Sequence, residues 1–167
     1  MSLLIDNTQC SNKKLESEID KKCLTYSKQD LLMESLSVFF KNNDNIKEVL
    51  NIVDGKSSIS LRILDWFVTN YSKKNNIKYS NKNSNQFIVY LEYKCQLKAY
   101  SKKQFDPFCR RNRINFYYDD ENYVKTTVGQ LNFFRWAIEN DILDYVTNNL
   151  KDIEQDMNQS LRNNYKK

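Results

Sequence analysis

The chain has 167 residues, a net charge of +5, 40% apolar and 13% aromatic residues, and no histidine. That length suits a single domain with room for flexible ends, able to bury about two thirds of its unfolded surface without a staple. The missing imidazole excludes histidine base chemistry and histidine-bound metal, and two glycines, Gly55 and Gly129, are too few for a P-loop or a GxGxxG turn.

Residues 1–26 are polar and without a sustained period, and they read as a mobile N-terminal arm or, over 14–23, a short helix with Leu15 and Ile19 on one side. Their apolar run is too short for a secretory signal, and no stretch reaches the length of a membrane span. The expectation is a soluble protein that is not secreted. Cys10, Cys23, Cys95 and Cys109 lack CxxC spacing and read as reduced thiols.

Ser27 and Asp30 stand at capping-box spacing ahead of Leu32, Leu36, Phe39 and Phe40, which predicts a helix over 28–41. The KNNDN run breaks it. Ile46, Val49, Leu50 and Val53 predict a second helix over 45–53, with Gly55 as its left-handed stop. Ser58 or Ser60 caps a third, ISLRILDWFVTNYSKK. Leu61, Leu64, Val68 and Tyr71 stripe it, and Ile63, Trp66 and Phe67 widen the stripe, so it reads as the central helix.

Residues 75–85 read as a loop with a short strand at Ile77 and Tyr79. Phe87, Val89, Leu91, Tyr93, Cys95 and Leu97 then alternate with more polar neighbours, a period of two that predicts a strand. A helix starting near Tyr93 is the competing reading. Asp106-Pro107 suits a capped short helical turn over PFCRRN. A hairpin is predicted from 113–118 and 123–125, turning on DDEN. Thr127 and Gln130 repeat the capping-box pattern before Leu131, Phe134, Ala137 and Ile138, with a bend at Asn140-Asp141. From 150 the chain reads as a polar tail or a projecting amphipathic helix carrying Leu150, Ile153, Met157 and Leu161. The assembled expectation is an α+β domain over 27–149. One small antiparallel sheet (87–97, 113–118 and 123–125) is packed against several helices.

The functional signal is a basic and aromatic cluster. Lys94, Lys98, Lys102, Lys103, Arg110, Arg111 and Arg113 are opposed in their interval by Asp106 alone and interleave with Tyr100, Phe105 and Phe108. Clustered cations bind phosphates by releasing counterions, exposed rings stack on unpaired bases, and guanidinium forks grip phosphate or carboxylate at two points. An acidic protein or a nucleic acid is the partner this implies. The structural alternative puts the rings in the core with lysines solvated around them, and pairs the arginines with Asp119, Asp120 and Glu121. A helix-turn-helix over 128–146 would carry Asp141 and Asp144 on its second helix, the wrong charge for a groove. The DDE cluster would suit a hard metal, but turns select the same residues. Cys95 and Cys109 have no histidine to activate them as nucleophiles. No cofactor or metal is assigned, and a non-enzymatic binding protein is expected.

The words SLRILDWFVTNYSKKN, AYSKKQFDPFCRR and TTVGQLNFFRWAIENDILDYV, lying within 57–146, resemble a family of small uncharacterised proteins of giant DNA viruses related to mimivirus. The heavy use of Asn and Lys is consistent with such an AT-rich genome. The resemblance transfers no site residues. It implies a product of the host cytoplasm that is associated with the virion. The expected function is therefore a viral accessory or virion-associated binding protein for an acidic partner. The alternatives are a nucleic-acid-binding protein of viral transcription or genome packaging, and a carboxylate-metal enzyme.

Overall fold

A computed structural model describes residues 26–83, 85–109 and 111–166. The expected N-terminal arm, apart from Tyr26, lies outside these residues, as do Cys10 and Cys23. The chain divides into two compact units, 1–35 and 36–167. In the first, Ser27 opens helix α1 (Lys28–Phe40) with the expected capping box. The Ser27 hydroxyl accepts from the Asp30 amide at 3.2 Å, and the Asp30 carboxylate accepts from the Ser27 amide at 2.9 Å. The Ser27 hydroxyl also donates to the Asp30 carboxylate at 2.8 Å, and this bond first, then that from the Ser27 amide, holds the Asp30 carboxyl below its ordinary pKa.

The second unit holds the remaining elements. The Asn42 side chain caps α2 (Asn43–Val53), which buries Ile46, Val49 and Ile52, while Val53 stays exposed. Gly55 ends it at φ +72° as expected. The Gly55 amide reaches the Ile52 carbonyl and the Lys56 amide reaches Asn51, so two orphan carbonyls of the last turn are satisfied. Ser60 caps α3, a continuous helix over 61–74 made of Leu61–Trp66, a π-helical turn Phe67–Tyr71, and Ser72–Lys74. Ile63, Leu64, Phe67 and Val68 are buried, so α3 is the central helix the apolar stripe predicted.

The stretch 87–97 is where expectation and structure part. Strand β1 (Lys78–Ser80) pairs antiparallel with β2 (Gln86–Ile88), and then the chain becomes helix α4 (Val89–Phe105). The helix begins four residues before Tyr93, where the competing reading placed it. Val89 and Tyr93 are buried and Leu97 half-buried at a spacing of four, whereas Leu91 and Cys95, inward in the strand reading, are exposed. The predicted single sheet is replaced by two separate two-stranded sheets. The second is the expected hairpin, β3 (Ile114–Tyr117) with β4 (Tyr123–Thr126), its inner face carrying Phe116 opposite Val124. The class remains α+β.

Asp106-Pro107 makes a tight turn and no helix. The Asp106 carboxylate accepts from the Phe108 amide at 2.9 Å and its carbonyl from Cys109 at 3.2 Å. Thr127 caps α5 (Val128–Glu139), but Gln130 does not reach back to it, because its side chain is bonded to the Thr126 hydroxyl at 2.6 Å. The predicted bend falls at Asp141, left-handed at φ 58°, ahead of α6 (Ile142–Asn148). Helix α7 (Leu150–Asn164) does not project. Ile153 and Met157 are buried and the helix packs on α3, where its Asp156 accepts from the Trp66 indole at 3.0 Å and pairs with Lys74.

The core is rich in rings. Phe105 meets Trp136 edge-on at 5.4 Å and Phe133 at 5.7 Å, and Tyr145 stacks between Phe67 and Tyr79. Among the described residues, helices α4 and α5 form the broadest helix contact. Gly129, in the first turn of α5, lets them meet there: a Cβ would stand 2.9 Å from the Asp106 carbonyl and 3.0 Å from that of Lys103.

Candidate functional site

Helix α4 separates two concave surfaces. With 3.6 residues per turn, Tyr90, Tyr93, Lys94 and Leu97 share one side, and Glu92, Gln96 and Tyr100 share another. The first side faces α3 across a cleft of about 390 Å³. Asp65 and Thr69 form the α3 wall, and Lys102, Asp106 and Phe108 close the end.

Three local distortions shape this cleft. The π-helical turn shifts the register of α3 after Trp66, and the Thr69 hydroxyl donates to the Asp65 carbonyl at 2.6 Å. In α4, Ser101 sits at φ 66°, ψ 165°, a conformation that favours glycine, and kinks the helix ahead of Lys102. The Asp106 turn then places Phe108, 42% exposed, on the rim.

The electrostatics are mixed. Burial, and second the neighbouring Asp106 carboxylate, push the Asp65 carboxyl up to about 6. Burial first, then the charges of Asp65 and Asp106, raise the Tyr93 phenol to about 12. On the rim Lys73 and Lys94 place their ammonium groups 5.3 Å and 6.0 Å from the Tyr90 ring centroid.

Of the predicted contact residues, Lys94 and Lys98 lie one helical turn apart on the exposed side of α4, and Lys102 lines the same cleft as Lys94. Lys103 is exposed, its backbone seated against Gly129. Arg111 and Arg113 are exposed in the segment before β3, with no described contact joining them to the cleft. Arg110 lies outside the described residues. Among the described residues these six cations make no ion pair, whereas Lys56, Lys74 and Lys82 pair with Asp54, Asp156 and Asp141. The alternative that pairs the arginines across the hairpin is not what the described residues show. Asp119 spends its carboxylate on its own turn, accepting from the Glu121 amide at 2.9 Å and from both the amide and the side chain of Asn122. Phe105 and Phe116 are core, and Tyr100 stacks on Phe105 at 6.3 Å.

Reading by sequence alone sets Asp65 and Thr69 on the polar face of α3 and counts Asp65 among the candidate carboxylates, but does not connect either to α4. The available signal was a lone carboxylate between Leu64 and Trp66 on a helix apolar on most sides. Among the described residues no group of three Cys, Asp or Glu side chains is arranged to hold a metal, and no helix is long and apolar enough to cross a membrane.

The sequence profile of a family of unknown function (DUF7197) matches residues 10–167. The chain belongs to that family. It is also similar to the uncharacterized protein L507 of Acanthamoeba polyphaga mimivirus, 48% identical over 127 residues, which covers 71% of this chain and 49% of the relative. The chain thus spans about half the length of that curated relative. No solved structure matches it. The resemblance to mimivirus-type proteins drawn from the residues alone is borne out.

Proposed function

We propose that this family member is an accessory binding protein, non-enzymatic and virion-associated, whose α4 rim docks an acidic partner through Lys94, Lys98 and Lys102. One observation carries the reading. Lys94 and Lys102 line one cleft beside Tyr90 and Phe108, Lys98 stands one helical turn from Lys94, and among the described residues none of the three is in an ion pair. An exposed cation left unpaired costs the fold nothing and stays available to an outside anion. Tyr90 and Phe108 add ring surface beside the charges, which favours a nucleic acid as the second reading, because bases stack on such rings.

The test is retention on an immobilised polyanion across a salt gradient. The triple variant Lys94→Ala, Lys98→Ala, Lys102→Ala is expected to elute at clearly lower salt, with the slope of log affinity against log salt reduced by roughly 2–3. Unchanged elution would remove the reading. Phe108→Ala separates the partners: it weakens capture of a single-stranded oligonucleotide under the nucleic-acid reading and leaves capture of an acidic peptide intact under the protein reading.

A further inference from the structure

The opposite side of α4 carries a second cleft, of about 370 Å³, which the cationic reading does not use. Its walls are Glu92 and Gln96 of α4 and Arg135 and Glu139 of α5, with Gln86 at the mouth. Phe87 and Trp136, both nearly covered, form the floor. The volume is at the lower end of the range of about 300–1,000 Å³ found for small-molecule sites.

The rim is held in place by hydrogen bonds of its own. The Asn81 side chain donates to Asn140 at 3.1 Å and accepts from the amides of Asn83 and Asn85, each at 3.2 Å. Asn140 in turn donates to the Trp136 carbonyl at 2.9 Å. Below them Asn132, 1% exposed, donates to the Gln104 carbonyl at 2.9 Å and accepts from the Arg135 guanidinium at 2.8 Å. These residues build the cleft. By contrast, Glu92, Gln96 and Gln86 make no side-chain hydrogen bond among the described residues. Their donors and acceptors are the ones left for a ligand.

The chemistry selects the ligand class. Two carboxylates against one guanidinium give the walls a net negative charge, which disfavours phosphate, sulfate and other anions. The amides both donate and accept, and the carboxylates accept, a mixture that matches hydroxyl groups, which also do both. Phe87 and Trp136 lie in the floor with little free face, and the half-buried Tyr100 beside them stacks on Phe105, so the rings offer an apolar patch for a C–H surface. We infer that the α4–α5 cleft is a binding site for a neutral saccharide unit, held by Glu92, Gln96 and Gln86 over the floor of Phe87 and Trp136.

An amide-resolved NMR titration of the full chain with glucose, N-acetylglucosamine and maltose tests this, with guanosine and inorganic phosphate as competitors of other classes. At least one saccharide is expected to give saturable shifts at Gln86, Glu92, Gln96 and Glu139. Gln96→Ala and, separately, Glu92→Gln are expected to weaken it roughly fivefold to tenfold, as the loss of one hydrogen bond to a ligand does. Lys94→Ala should leave it unchanged, and added salt should not matter. The proposal is overturned if no saccharide shifts these amides, if both variants bind as the parent does, or if guanosine or phosphate binds there more tightly. Failure here leaves the polyanion test of the opposite face standing, because the probes differ and the variants that report on this cleft, Gln96→Ala and Glu92→Gln, are not those of the cationic rim.

Discussion

The two sides of α4 differ in how their polar groups are employed. Toward α3, the rim carries Lys94 and Lys102 above Asp65, whose carboxyl is raised by burial and then by the Asp106 charge, and the backbone is distorted in both helices. Toward α5, the backbone is regular and a lattice of Asn side chains fixes the walls. The first surface sets exposed cations over a partly buried carboxylate, and the second fixes the directions of its hydrogen bonds. One helix serves both because its 100° step sends residues two apart to different neighbours.

The largest effect should come from breaking both sides at once. Gly129→Ala forces a methyl against backbone atoms at the end of α4, which no side-chain rotation relieves. A loss of about 2–3 kcal/mol in denaturant unfolding is expected. Next, Asp156→Ala touches only the α3 side: it frees the Trp66 indole and Lys74 from α7 and should cost about 1–2 kcal/mol. The carboxyl of Asp156 is held below its ordinary value, chiefly by the Lys74 hydrogen bond. Its contribution is therefore present above the unfolded pKa and fades as pH falls below it. A wild-type minus variant difference that stays constant into acid would contradict this assignment.

Asp65 should behave in the opposite sense. Its folded pKa is raised from 3.8 to about 6, so between those values the native state binds a proton that the unfolded chain has released. Stability from this group falls as pH rises through that window. Asp65→Asn should then be more stable than the parent above pH 6, by about 1 kcal/mol once solvent screening is allowed for, and equal to it below the unfolded pKa. Thermal melts across pH measure the sign directly. Ser101→Gly, at the kink of the same flank, should also stabilise, by about 1 kcal/mol, because glycine adopts that conformation without strain. The smallest effect belongs to the α5 side. Gln96→Ala, a half-buried side chain with no described hydrogen bond, should shift stability by no more than about 0.5 kcal/mol.

Sequence by itself determined the elements whose signals are local. Ser27 with Asp30, Gly55, Ser60 and Thr127 each mark a helix end through a backbone bond or dihedral that neighbours in the chain supply. The hairpin around Asp119 and the apolar stripes of α3 and α5 belong to the same group. Tertiary structure alone decided the stretch after Phe87. Leu91 and Cys95 are apolar enough for a strand's inner face, yet packing of Val89 and Tyr93 beside α3 and Trp136 took the spacing of four and turned them outward. That choice also settled the candidate site. A strand would have set Glu92, Lys94, Gln96 and Lys98 on one face, whereas the helix keeps Lys94 beside Lys98, turns Glu92 and Gln96 toward α5, and brings Asp65 to the cleft from a part of the chain no local pattern connects to it. Periodicity reports which residues share a face. Which face finds a partner depends on surfaces distant in sequence.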